Sequence, residues 1–149
     1  MAVTLHRELL VPRPLPEVFD FFSRAENLQR LTPPWLHFSM RTQTPIQMGQ
    51  GAMIVYSIRV RGIPLRWRTL IESWNPPHEF VDVQAKGPYK LWRHTHRFVE
   101  VAGATMITDH VEYALPFGIL GRVVNRLQVS RDLAKVFDYR ADQVRHIFQ

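Results

Sequence analysis

Apolar and polar residues alternate along most of the chain between residues 3 and 115, and a period of two predicts β-strands. Proline and glycine interrupt the alternation, for example at Arg61-Gly62 and in "NPPHE", which predicts tight turns between successive strands. The predicted strands are Val3 to Val11 and residues 36–40, 52–60, 65–73, 80–84, 89–98 and 105–115. Strands that follow one another through short turns are typical of an antiparallel meander.

Three segments show helical signals instead. Pro16 and Glu17 suit the first turn of a short helix that ends near Ser23, and "RAENLQRLTPP" allows a second short helix that its proline pair must end. One long amphipathic helix up to the C-terminus is predicted from the helical spacing of Leu120, Val123, Leu127, Ala134, Phe137, Ala141, Val144 and Phe148. Together these elements predict an α+β fold in one domain, residues 1–149, with the sheet curled around the final helix.

The strand "KLWRHTHRF" carries two histidines, His94 and His96, on the same face as its aromatic residues. A hairpin in which Glu100 lies opposite Thr105 matches this face with the apolar face of the next strand. The register then pairs Trp92 with Tyr113, His94 with Val111, His96 with Asp109 and Phe98 with Ile107. Burial of imidazole and carboxylate groups without partners is costly, so the pattern indicates a cavity that holds water or a ligand.

Composition excludes several other classes of protein. The chain has 149 residues, 46% of them hydrophobic and 21% charged, which suits one globular domain. It has no cysteine, and no apolar run approaches the roughly 20 residues of a membrane span, so we predict a cytoplasmic protein. The net charge of +6 is spread from Arg7 to Arg145 without a basic run, which argues against nucleic acid as a partner.

The chain resembles the ligand-binding SRPBCC proteins, the START-like or helix-grip superfamily, and looks most like a bacterial subgroup without an assigned ligand. The resemblance spans nearly the whole chain and rests on "VFDFFSRAENLQRLTPPWLHF", "GIPLRWRTLIESWNPPHEFVDVQAKGPYKLWRHTHRF", "TDHVEYALPFGILG" and the terminal helix with "VFDYR". It implies a curved seven-stranded antiparallel sheet around the long C-terminal helix, with two short helices after the first strand. Relatives bind lipids, sterols, quinones, polyketides or plant hormones, and some are cyclases or hydrolases, so the fold alone does not select a function.

The polar residues of the inward face support three hypotheses. His94, His96 and Asp109 would suit a zinc or iron ion, but no fourth ligand and no supporting hydrogen-bond partner can be named, so we predict no metal and no cofactor. His96 with Asp109 would suit a general base. A hydrogen-bonded lining of a binding cavity explains the same residues without a reaction, and no nucleophile is marked by its sequence context.

We therefore predict a protein that binds a small hydrophobic or amphipathic molecule, such as a lipid, quinone or polyketide, for transport or sequestration. A cofactor-independent polyketide cyclase, dehydratase or hydrolase is the alternative, and only then are His96 and Asp109 catalytic. The predicted ligand-binding residues are Tyr56, Trp67, Trp92, His94, His96, Asp109 and Tyr113. Alternation leaves open whether Asp82 and Gln84 face the cavity, and the sequence does not address oligomeric state.

Two apolar loops flank the predicted cavity. We predict that "PFGILG" is an ordinary loop between the last strand and the long helix; the alternative is a gate that it forms with "LTPPWL". In that alternative, the apolar side chains of the two loops, with arginines nearby, would allow at most a transient contact with a membrane. The side chains concerned are Trp35, Phe117, Ile119 and Leu120.

Overall fold

The structure is a computed structural model that describes residues 2–149. Its strands are β1 (Val3–Val11), β2 (Ser39–Met40), β3 (Met53–Val60), β4 (Ile63–Asn75), β5 (Glu79–Lys86), β6 (Leu91–Val101) and β7 (Ala104–Ala114). They form one antiparallel sheet in the order β1-β7-β6-β5-β4-β3-β2. The predicted seven-stranded sheet is therefore confirmed, and β1 joins it beside the last strand rather than beside β2.

The three segments that the sequence predicts as helical all contain helices, and one further 3₁₀ turn overlaps the start of a predicted strand. They are α1 (Leu15–Phe22), a 3₁₀ turn (Ala25–Asn27), α2 (Leu28–Leu31), a 3₁₀ turn (Pro34–Leu36), α3 (Gly118–Val124), a π-helical turn (Asn125–Val129) and α4 (Ser130–Ile147). The last three follow one another without a break and form the long C-terminal helix, so the predicted α+β fold is confirmed. Within residues 2–149, no helix has the length and apolar content that crossing a membrane requires.

The predicted boundaries differ most around the second strand. The 3₁₀ turn at Pro34–Leu36 occupies the start of the predicted strand at residues 36–40, and His37 adopts a left-handed conformation with φ of 48°. Only Ser39–Met40 then pairs with β3. Alternation of apolar residues over so few positions cannot distinguish a strand from a turn that presents the same side chains.

Two hairpin turns set the register of the sheet. Both residues of each turn have positive φ, 53° and 80° at Arg61-Gly62 and 50° and 84° at Ala102-Gly103. Turns of this handedness match the twist of the strands they connect, and glycine adopts positive φ without strain. The second turn places Glu100 opposite Thr105, as predicted, and all the pairs that follow from this register are confirmed.

The core consists of three apolar clusters at different points along the sheet. α1 packs on β6, where Phe19 meets the fully buried Phe98 edge to face, and the end of α4 covers the same cluster. Val111 and Phe137 belong to a second cluster, and Ile71 belongs to a third. Residues from all three clusters line one internal cavity. The packing of α4 against the sheet therefore leaves space between the clusters.

The first part of the long helix does not pack as predicted. Leu120 and Leu127 are 64% and 63% exposed, whereas Phe137, further along the same predicted stripe, is buried. The π-helical turn at Asn125–Val129 lies between the two parts. Because a π turn adds a residue to one helical turn, it changes the direction in which later side chains point. An apolar stripe that is continuous in the sequence is therefore divided between a buried and an exposed surface.

Candidate functional site

A cavity of about 830 Å³ lies between the sheet and α4, with α1, α2 and the 3₁₀ turn at Pro34–Leu36 closing its sides. Its walls are mainly apolar and aromatic, and β5 and β6 contribute the polar side chains of Asp82, His94 and His96. At its exposed end, Arg61 in the β3–β4 turn forms an ion pair with Asp132 of α4 at 3.3 Å. Cavities that bind small molecules have this size and this mixture of an apolar wall with a few polar groups.

An aromatic wall forms one side of the cavity. Trp67 of β4 stacks with Tyr56 of β3, ring centroids 6.1 Å apart, and meets Trp92 of β6 edge to face at 5.3 Å. Tyr89 closes the gap between the two indoles at 5.5 and 5.0 Å. Such rigid, extended surfaces pack well against a flat or apolar ligand.

A buried network of two histidines and two aspartates forms the floor. The imidazoles of His94 and His96 stack with centroids 3.7 Å apart, because they occupy alternate positions of β6. His94 Nε2 lies 2.8 Å from Asp109 Oδ1, and His96 Nε2 lies 2.5 Å from Asp82 Oδ2. Arg140 of α4 reaches Asp109 Oδ1 at 3.6 Å. Each imidazole is therefore held by one carboxylate, on opposite sides of the stack.

The expected pairing of His96 with Asp109 is replaced by two diagonal pairs. His96 and Asp109 are directly opposite in the sheet, but their closest atoms are 3.7 Å apart, too far for a hydrogen bond. His94 reaches Asp109 from the diagonal position, and His96 reaches Asp82 of β5 in the same way. Diagonal neighbours lie within reach of long side chains, so register alone does not decide the hydrogen-bond partner.

The network holds its carboxylates charged and one imidazole neutral. Burial alone would raise the pKa of Asp109, but Arg140 and the hydrogen bond from His94 together hold that pKa well below its usual range. Burial likewise opposes ionisation of Asp82, yet the His96 hydrogen bond and nearby charges lower its pKa. Burial, followed by the neighbouring His94, lowers the pKa of His96 to about 4. At neutral pH, His96 therefore carries one proton, which its Nε2 donates to Asp82.

Two buried polar atoms of residues that line the cavity lack a hydrogen-bond partner among the described residues. They are Nε1 of Trp67 and Nδ1 of His96. The indole N–H is a donor, whereas Nδ1 of the neutral imidazole is an acceptor. Buried polar atoms are nearly always paired in folded proteins, so each of these atoms calls for an explanation.

The structure brings most of the predicted site residues together. Five of the seven line the cavity: Tyr56, Trp67, Trp92, His94 and His96. Asp109 lies behind His94 and lines a smaller space of about 350 Å³ between the sheet and α4. Tyr113 packs in the core, and its hydroxyl donates to Asn125 Oδ1 at 2.8 Å. The part that these residues play in binding stays a prediction.

Sequence reasoning left Asp82 open and missed Arg140. Asp82 lines the cavity, whereas the Gln84 side chain turns to the Tyr89 backbone and holds the β5–β6 loop. Arg140 follows the buried Phe137 by three positions on α4, so it lies near the apolar stripe of the helix, and this spacing is visible in the sequence. An arginine on the apolar stripe of a helix indicates a buried anion opposite it, because an unpaired charge there is costly.

Two half-buried tyrosines of the aromatic wall, Tyr56 and Tyr89, are expected to make the protein less stable at alkaline pH. Burial, with the charge of Asp82 adding to it, raises the pKa of Tyr56, and burial raises the pKa of Tyr89. Below pH 10 both tyrosines are protonated in the folded and unfolded chain, but above it the unfolded chain ionises first. Each residue then lowers the free energy of unfolding by about 1.4 kcal/mol per pH unit.

Guanidinium unfolding at about pH 9 and about pH 11 measures this loss. We expect Tyr56→Phe to lose less stability than the wild-type protein between the two pH values. An equal loss in both proteins would show that Tyr56 ionises as easily in the folded chain as in the unfolded one.

The seven-stranded sheet around the long C-terminal helix defines a helix-grip fold of the START-like kind, with a cavity between sheet and helix. A family model described as "Polyketide cyclase / dehydrase and lipid transport" matches residues 11–137, and the chain belongs to this family. A search of curated proteins gave no significant match.

Solved structures share the fold at low sequence identity. Norcoclaurine synthase from Thalictrum flavum is 17% identical, with a TM-score of 0.69 over 97% of this chain and 94% of that one. A START superfamily protein from Mycobacterium smegmatis is 13% identical, with a TM-score of 0.64 over 95% and 98%. A nucleoside-diphosphate sugar epimerase from Corynebacterium glutamicum is 26% identical, with a TM-score of 0.69 over 95% of this chain, which spans only 28% of that protein.

Proposed function

We propose that the protein binds a small hydrophobic or amphipathic molecule, of the lipid, quinone or polyketide kind, in the cavity between the sheet and α4. The cavity itself carries the proposal, since its volume of about 830 Å³ would hold a ligand of this class. Membership of the polyketide cyclase/dehydrase and lipid transport family supports the binding of a hydrophobic ligand.

The polar atoms of the cavity suit a ligand with one polar end. The Trp67 N–H has no acceptor among residues 2–149 and would donate to a ligand oxygen. His94 uses Nε2 to donate to Asp109, which leaves Nδ1 as an acceptor on the side of Asp82. A ligand oxygen would accept from the Trp67 N–H, and a ligand hydroxyl or enol would donate to His94 Nδ1, while the apolar body of the ligand packs on the aromatic wall.

Native mass spectrometry of the protein purified from its own host tests the proposal, followed by denaturing extraction of the same sample. We expect one small molecule per chain, apolar over most of its surface. A preparation without a bound molecule, which also fails to bind the fluorescent amphipathic anion 1-anilinonaphthalene-8-sulfonate, would contradict the proposal.

A second candidate function is cofactor-independent catalysis, and the hydrogen bond between His94 and Asp109 favours it. Because Asp109 accepts the Nε2 proton, Nδ1 of His94 is the free basic nitrogen, as a general base requires. His94 therefore takes the role that the sequence suggested for His96. If the extracted molecule is converted on incubation with the protein, we expect His94→Gln to slow conversion by about 100-fold while binding persists.

The exposed apolar segment at residues 117–127 supports a transient contact with an anionic membrane. Phe117, Ile119 and Leu120 are 80%, 71% and 64% exposed. Three arginines, Arg122, Arg126 and Arg131, lie in or just after this segment, and no acidic residue occurs between Glu112 and Asp132. Exposed apolar side chains flanked only by positive charge suit the interface of an anionic bilayer.

Sedimentation with phosphatidylcholine vesicles, with and without phosphatidylglycerol, measures this contact. We expect binding only to the anionic vesicles, weakened by salt and reduced about tenfold by Leu120→Glu. Val99→Glu is the matched control, because it places the same charge at an exposed apolar position of β6 outside the segment. Equal binding of both variants would contradict the proposed contact.

A further inference from the structure

Three potential metal ligands converge on the cavity floor. One ligand atom each from Asp82, His94 and His96 lies within 4.8 Å of the others. Asp82 Oδ2 is 2.5 Å from His96 Nε2 and 4.0 Å from His94 Nδ1. Ligand atoms around a tetrahedral zinc ion are about 3.3 Å apart when the metal–ligand bonds are about 2.0 Å long. A shift of Asp82 Oδ2 by less than about 1 Å would bring both of its distances to the histidine nitrogens close to this value.

On the side away from Asp82, the two imidazoles face a carboxylate that can hold them in position as metal ligands. His94 Nε2 and His96 Nδ1 both face Asp109 Oδ1, at 2.8 and 3.7 Å, and Arg140 holds that carboxylate from α4. Histidines that bind a metal almost always donate their second ring N–H to a carboxylate, carbonyl or water, which fixes the tautomer and the ring orientation. Asp109 is placed to serve both histidines in this way.

The unpaired nitrogen of His96 is a second, independent observation. When Nε2 donates to Asp82, Nδ1 presents a lone pair towards Asp109 Oδ1 at 3.7 Å, and no donor is available to it within the described chain. A cation between Asp82 and the histidines would take the Nε2 lone pair and move the ring proton to Nδ1. The same nitrogen would then become a donor that faces a carboxylate.

We propose that Asp82, His94 and His96 bind a divalent transition-metal ion through Asp82 Oδ2, His94 Nδ1 and His96 Nε2. Two imidazoles and one carboxylate suit zinc or iron(II), and the remaining coordination positions would open into the cavity. Asp109 is a positioning residue that holds the imidazoles without contacting the ion. The site differs from the metal hypothesis of the sequence, which had Asp109 as the third ligand.

Titration of the full chain with cobalt(II) alone, after treatment with a chelator, tests the site. His6 and His110 form a surface pair with Nδ1 atoms 3.3 Å apart, which itself could bind a metal, so every protein in the test also carries His110→Ala. We expect one equivalent of cobalt(II) with visible absorption bands, displaced by zinc. Asp82→Asn and His96→Gln should each weaken binding at least about 100-fold, and Asp109→Asn about 10- to 100-fold.

Thermal unfolding with and without zinc provides a readout that does not depend on spectra. Zinc should raise the melting temperature of the His110→Ala protein, and not that of the Asp82→Asn or His96→Gln variants. Failure of the His110→Ala protein to bind cobalt(II) at micromolar concentration would overturn the proposal. Binding that survives both substitutions with unchanged affinity would overturn it as well. The binding of a hydrophobic ligand is measured on chelator-treated protein, so the two proposals fail separately.

Discussion

Replacement of Asp109 by alanine is expected to lower the free energy of unfolding by about 3–5 kcal/mol, because it removes the anion from a buried charge network. The side chains of Arg140 and Asp109 are each only 12% exposed. Without the carboxylate, the guanidinium stays buried without a counter-charge, and the Nε2–H of His94 loses its acceptor. Both groups are largely buried, so the loss of these partners is costly.

Asp138→Ala is the matched control. Asp138 also lies on the α4 side of the sheet and forms an ion pair with Arg7 at 2.6 Å, but its side chain is 64% exposed. An exposed pair contributes about 0–1 kcal/mol, so its loss should be small. Urea unfolding of the wild-type protein, Asp109→Ala and Asp138→Ala measures how much each substitution lowers the free energy of unfolding. Equal costs for the two substitutions would mean that Asp109 is solvated and that the network does not depend on it.

Val136→Trp is expected to weaken the binding of 1-anilinonaphthalene-8-sulfonate at least tenfold, about 1.4 kcal/mol, by filling part of the cavity. Val136 is half-buried on α4 and lines the cavity across from the sheet. A larger side chain there competes with a ligand for the space beside the aromatic wall. Because the cavity provides space for the indole, the fold should lose little stability compared with a substitution in the packed core.

His146→Trp is the matched control, since it places the same side chain on an exposed position of α4 outside the cavity. Fluorescence titration measures affinity, and thermal unfolding shows that both variants fold. Unchanged affinity in Val136→Trp would place the probe outside the cavity and would remove the main support for ligand binding. A similar loss in both variants would show that the probe binds the outer surface.

The histidine network shows how far sequence reasoning extends into the site. Alternation places His94 and His96 on one face, and the hairpin register places Asp109 across from them; the pairing of these positions is confirmed. The hydrogen bonds follow the diagonals instead, and half of them involve Asp82, which the alternation of β5 left unassigned. The partner of a long side chain depends on how it leans between strands, which a periodic pattern does not record.

The long helix is a second case in which a sequence pattern predicts an element but not its contacts. Its apolar spacing predicts the element, but one π-helical turn divides the stripe into a buried part around Phe137 and an exposed part around Leu120. Arg140 contacts Asp109 only because α4 crosses the sheet at that point. Helical spacing describes a face relative to its own axis, and only packing against the sheet decides what that face meets.

The sequence by itself determined the antiparallel sheet, the hairpin register and the shared face of the two histidines. Each of these follows from local rules, since side chains alternate along a strand and the register that pairs Glu100 with Thr105 matches the faces of both strands. Tertiary structure alone decided the size and lining of the cavity, the approach of Asp82 and Arg140 to the histidines, and the buried environment that keeps His96 neutral. Burial, and the electrostatic effects that follow from it, depend on which residues distant in the chain come together, and no local pattern specifies that.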